Sequence, residues 1–297
     1  MPGRPDALLP QGFQPADDGC PRPLTPDKPR PMLFLLSPAK SLDYDRPLPR
    51  GVRQRATEPL FLPQASALID TLKPLPAQQV AALMDLSDDL ARLNTARYAA
   101  WVPQHDDRNS RPAVLAFNGD VYDGLDARSL TPADLAWAQQ HVVILSGLYG
   151  ALRPLDRLQP YRLEMGTRHA TTQGRDLYAF WGDTVAAYLQ QRLADDQHPV
   201  VINLASQEYF KVADRPALAA RVVDCVFEDW KDDGQGGGQY KIISFFAKRA
   251  RGAMARWAIQ HRARSVRALQ GFDTDGYASD RAASSADRLV FRRRAAT

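Results

Sequence analysis

The chain has 297 residues, 44% hydrophobic and 24% charged, enough material for a large core in one or two domains. No apolar run approaches the roughly 18–20 residues that span a bilayer, and the proline-punctuated N-terminus lacks the apolar core of a secretory signal. The two cysteines, Cys20 and Cys225, form no CxxC pair; one sits in a proline-rich stretch and the other in an apolar run, so the reading is a cytoplasmic protein without a disulfide.

The net charge of +4 hides an asymmetry: residues 1–233 carry 25 Lys/Arg against 30 Asp/Glu (−5), and residues 234–297 carry 13 against 4 (+9). Between Gly234 and Phe272 there is no acidic residue at all. Such a one-sided surface favours polyanions, although a solvated helix face would look the same.

In chain order, residues 1–31 hold nine of the 23 prolines and no periodic pattern, and read as a disordered extension. From Met32 the text alternates between short apolar runs and amphipathic patterns. Strands are expected at Met32–Leu36, Ala113–Phe117, Val142–Leu145, Val200–Leu204, Val222–Phe227, Tyr240–Phe245 and Arg288–Phe291. Helices are expected at Ser87–Trp101, Pro132–Gln140, Asp183–Ala194 and Phe246–His261, the last with Phe246, Ala250, Ala253, Met254 and Trp257 in one stripe. Residues 235–238 (QGGG) join two strands as a hairpin, so part of the sheet is antiparallel. The expectation is a single α/β domain over 32–297, a mixed sheet with flanking helices.

Candidate chemistry follows the strands. Ser37 and Lys40 come after the first, Asn118 after the second, Ser146, Tyr149 and Arg153 after the third, and Lys211 after the fourth. In α/β proteins such strand ends build ligand clefts, because backbone amides and helix starts converge there. Ser37 and Lys40 match S-x-x-K, but the companion S-D-N and K-T-G motifs are absent, and an anion held by a hydroxyl and a point charge is the better reading. The loop carrying Arg153, Arg157, Arg162 and Glu164 either lines a cleft or is pinned by ion pairs to Asp156 and Glu164; spacing fits both. The five histidines show no metal-ligand spacing and no nucleotide-binding glycine loop occurs, so no metal or cofactor is expected. On the last long helix, Lys248, Arg249, Arg251 and Arg256 are candidate phosphate contacts for a DNA duplex. The alternative is an enzyme acting on a phosphorylated or nucleotide-like small molecule, with Ser37, Lys40, Asn118, Ser146, Tyr149, Arg162 and Lys211 lining its pocket.

Seven blocks carry a resemblance: LLSPAKSLDY (35–44), FNGDVYDGL (117–125), LSGLYGALRPLDRLQPYRLEMGT (145–167), DLYAFWGD (176–183), VINLASQEYFK (201–211), IISFFAKRARGAM (242–254) and LQGFDTDGY (269–277). In this order they resemble the YaaA family of bacterial peroxide stress-resistance proteins, across residues 32–297. The resemblance implies a cytoplasmic protein that protects against hydrogen peroxide by keeping unincorporated iron low. It also implies an α/β fold with a positively charged cleft, a helix-hairpin-helix element and binding of double-stranded DNA. ALQGF, residues 268–272, is the nearest text to such a hairpin. No active-site residue comes with the resemblance.

Overall fold

The computed structural model describes residues 32–194, 199–235 and 237–294. The extension 1–31, with Cys20, and also His198 lie outside the described residues. Eight strands form the main sheet: β1 (Leu33–Leu36), β2 (Val142–Ser146), β3 (Gly150–Leu152), β4 (Val200–Asn203), β5 (Arg221–Asp232), β6 (Gly238–Lys241), β7 (Ala278–Ser279) and β8 (Arg288–Arg293). Their order is β7–β8–β5–β4–β1–β2–β3, with β6 added to β5. The five strands from β8 to β2 run parallel, whereas β3, β6 and β7 pair antiparallel with their neighbours.

Burial explains why each run took its place. All four residues of β1 are buried, as a strand covered on both faces requires, and its neighbours β2 and β4 are apolar runs of the same kind. β5 instead alternates, with Val223, Cys225, Phe227 and Asp229 inward. Phe227 stacks on Phe291 of β8 and meets Phe272 and Tyr277 edge-on, which makes an aromatic core at this end of the sheet.

Three expected elements differ. Ala113–Ala116 is a single helical turn rather than a strand, followed by Phe117–Asn118, which pairs with Ser41–Leu42 outside the main sheet. Pro112 stands at its N-cap, and all four residues are buried, so no alternation of polar and apolar residues marks the conformation. The strand expected at Tyr240–Phe245 ends at Lys241, and the helix begins two residues early, at Ser244. That helix, Ser244–His261, turns Ala247, Ala250, Ala253 and Met254 inward, while Phe246 is 36% exposed rather than part of the buried stripe. Helices Leu62–Leu72 and Ala77–Met84, not among the expected elements, precede Asp88–Ala100, the first of the expected helices. At residues 268–272 the chain closes the single turn Val266–Leu269 and enters a 3-10 turn at Thr274–Gly276, so no second helix of a hairpin starts there.

The connectivity positions a site. From β1 the chain moves to β2 on one side; it later returns to β4 on the other side and continues to β5. The connections after β1 and β4 therefore leave in opposite directions, and such a switch point opens a crevice beyond the carboxyl ends of those strands.

Candidate functional site

Ser37, next after β1, and Ser206, three residues beyond β4, meet across that crevice. The Ser37 hydroxyl accepts from the Ser206 N–H at 2.8 Å and donates to Ser206 Oγ at 3.4 Å. Tyr122 Oη donates to the Ser37 carbonyl at 3.1 Å. Ser206 also caps the short helix Gln207–Phe210, which fixes Glu208 and Tyr209 over the same spot. The Lys40 ammonium lies 2.9 Å from Glu164, whose other oxygen is 3.0 Å from Arg162. Both the hydroxyl and the ammonium of the S-x-x-K spacing are thus committed to other partners.

Around these groups lies a cavity of about 470 Å³. Segments 37–41, 118–121 and 161–164, with Ser206, Glu208, Tyr209, Lys248 and Arg251, form its walls. Segments far apart in the sequence therefore converge, and Lys40 and Lys248 belong to one site. The lining holds four cations (Lys40, Arg162, Lys248, Arg251) against three carboxylates (Asp120, Glu164, Glu208), a net of +1. Lys40 and Arg162 share Glu164, and the pull on an anion rests with Lys248 and Arg251, which have no ion pair among the described residues. Burial pushes the Tyr209 hydroxyl far above the ordinary tyrosine value and raises Tyr161 as well, so both walls stay neutral.

The last two cations are held there by backbone proximity. Helix Ser244–His261 crosses helix Asp120–Leu125 at Gly252 and Gly124. A Cβ on Gly252 would be driven into the Val121 carbonyl oxygen, and one on Gly124 into the Arg249 carbonyl oxygen. With no side chain between them the helices touch, and Lys248 and Arg251, one turn apart, come to lie beside Gly119, Asp120 and Val121.

The other candidates sit elsewhere. Ser146 and Tyr149 are fully buried behind the cavity wall: Ser146 Oγ bonds Tyr161 Oη at 2.6 Å and accepts from the Tyr149 N–H at 2.9 Å. Arg153 pairs with buried Asp156 at 2.9 Å and lines a separate groove with Phe61 and Tyr188. The Arg-rich loop does both things its composition allowed, pinning Arg153 and presenting Arg162. The Lys211 ammonium stands 4.6 Å over the Tyr178 ring, outside the cavity lining. Arg249 borders a neighbouring hollow of about 320 Å³ and pairs with Asp275 at 3.3 Å. Arg256 donates to the carbonyls of Leu125 and Asp126 at 3.1 and 2.8 Å. Among carboxylates, Asp120 and Glu164 line the cavity while Asp123 borders the neighbouring hollow. Ser206, Glu208 and Tyr209 follow β4 among the strand-end groups the sequence offers, whereas Tyr161 carries no such signal.

Comparison with known proteins supplies the family. The description "peroxide stress protein YaaA" matches residues 32–283. The chain is 68% identical over 262 residues to a UPF0246 protein of Leptothrix cholodnii, covering 88% of this chain and 98% of that one. It is 64% identical over 263 residues to a UPF0246 protein of Paracidovorax citrulli, with 89% and 99% covered. A UPF0246 protein of Albidiferax ferrireducens is 61% identical over 262 residues, with 88% and 98% covered. Matched over most of its length at this level of identity, the chain belongs to the peroxide stress protein YaaA family.

Proposed function

We propose that the protein defends the bacterial cytoplasm against hydrogen peroxide by keeping free iron low, and that it binds double-stranded DNA through the cationic face where the cavity opens. The family supports the link to peroxide stress, and the lowering of iron is part of the proposal. The observation that supports DNA binding is the division of the cations beyond residue 233. Arg249, Arg256 and Arg262 are spent on Asp275, Asp126 and Asp134. Lys248, at the cavity, and Lys241, Arg264, Arg267 and Arg281 are exposed and have no ion pair among the described residues. Unpaired surface cations are the groups that neutralise phosphates and release counterions, without reading base sequence. The iron effect is read as indirect, because the described histidines are engaged internally: His105 against Tyr149, His141 against the Trp137 carbonyl, His169 against Thr71 and His261 against the Trp257 carbonyl.

Fluorescence anisotropy with a short duplex over a range of salt concentrations tests the reading. Binding falls steeply as salt rises, and Lys248→Ala lowers the slope of log K against log salt by about 1. Replacing Lys248, Arg249, Arg251 and Arg256 together by Ala weakens it further. Duplex binding that survives the quadruple change unaltered, in protein shown to be folded by circular dichroism, refutes the assignment.

A further inference from the structure

A duplex gripped at the surface leaves the interior of the cavity unused, and the interior contains Arg251. Its guanidinium is largely buried, its Nε has no hydrogen-bond partner, and no carboxylate lies within ion-pair distance among the described residues. Asp224, the carboxylate that favours its charge, accepts a hydrogen bond from Asn203 at 2.8 Å. Burial pulls the Arg251 pKa below the ordinary arginine value, yet a guanidinium stays protonated in proteins. A largely desolvated cation without an ion pair is costly to keep, and a guanidinium on a cavity wall with no hydrogen bond among the described residues points to a partner that arrives from outside.

The rest of the lining narrows what that partner is. Lys248 adds a second unpaired cation one helical turn from Arg251. Tyr209 and Leu163 give the walls apolar and aromatic surface, and Asn118 and Asp120 offer acceptors for hydroxyl or amino groups. A volume of about 470 Å³ is far larger than an inorganic ion needs and falls within the roughly 300–1,000 Å³ of small-molecule sites. We infer that this cavity binds a nucleoside monophosphate or a close chemical equivalent, its phosphate on Arg251 and Lys248 and its ring body against Tyr209 and Leu163. The inference goes beyond duplex binding and does not depend on it.

The test is thermal shift and isothermal titration of the full chain with the four common ribonucleoside monophosphates, unphosphorylated nucleosides and inorganic phosphate, all at matched ionic strength. At least one monophosphate raises the melting temperature at millimolar concentration, while nucleosides do not and inorganic phosphate binds at least tenfold more weakly. Arg251→Met gives a double signature: the ligand-free protein melts higher, because an uncompensated charge is gone, and the response to the monophosphate disappears. Lys248→Ala weakens the monophosphate about tenfold without raising the ligand-free melting temperature. No response to any monophosphate overturns the ligand class, and unchanged affinity in Arg251→Met overturns the seat. A parallel titration with a short duplex separates the sources of phosphate: if the duplex alone binds, and Arg251→Met abolishes that binding, the seat belongs to DNA and the inference falls.

Discussion

Arg256 sends one guanidinium nitrogen to two carbonyl oxygens at the C-terminal end of Asp120–Leu125, where a helix leaves acceptors without partners. Its residue type and its place in a basic helix favour a phosphate contact equally well. The difference lies in Leu125 and Asp126, more than a hundred positions earlier, and no local pattern reveals that they will be neighbours. Asp275 beside Arg249 and Asp134 beside Arg262 make the same point. The number of basic residues was therefore legible, and the subset left free was not. Arg256→Ala is expected to cost about 1–2 kcal/mol in urea unfolding, the worth of charged hydrogen bonds discounted for partial exposure, while the salt slope of duplex binding stays unchanged. A lowered slope with unaltered stability would return Arg256 to the DNA face.

At the scale of elements, the strand ends were the most readable part of the molecule. Apolar runs that stop at Ser37 and Asn203 mark where a parallel sheet presents its polar groups, and Ser37 and Lys40 line the cavity from such an end, whereas Asn118 follows a helical turn and Arg162 comes from the arginine-rich loop. The contact of Ser244–His261 with Asp120–Leu125 was hidden, because its signal is two glycines and a glycine inside a helical pattern usually just weakens the helix. Here Gly252 has a steric purpose. Gly252→Ala must separate the two helices to relieve the clash with Val121, and the expected loss is about 1–3 kcal/mol or more. Since Lys248 and Arg251 move with the helix, duplex affinity should fall in the same variant even where it remains folded. Urea denaturation and anisotropy on one preparation check both, and full affinity at reduced stability would mean the crossing does not position the cations.

For the whole molecule, three buried imidazoles couple folding to pH. Desolvation lowers the pKa of His105, His141 and His169 in the folded state, below the roughly 6.5 of an unfolded chain. His105 shows the structural reason. The Tyr149 hydroxyl accepts from Trp101 Nε1 at 2.9 Å and from the Gln159 N–H at 3.2 Å, so it donates to His105 Nε2 at 3.0 Å, and a second proton on the ring would face it donor to donor. The unfolded chain thus binds more protons in this window, and stability is complete above about pH 6.5 and declines as pH drops through the depressed folded values. Urea midpoints that stay constant between neutral pH and about pH 5 would contradict this. The position of β1 has a different consequence, one of timing. Its partners, Val142–Ser146 and Val200–Asn203, follow it by more than a hundred residues. On a ribosome adding about 5–20 residues each second, Leu33–Leu36 emerges roughly ten to thirty seconds before the second partner exists. Nascent chains of this protein must therefore be shielded from one another during synthesis, and crowded overexpression should send them into inclusion bodies before any mature surface has formed.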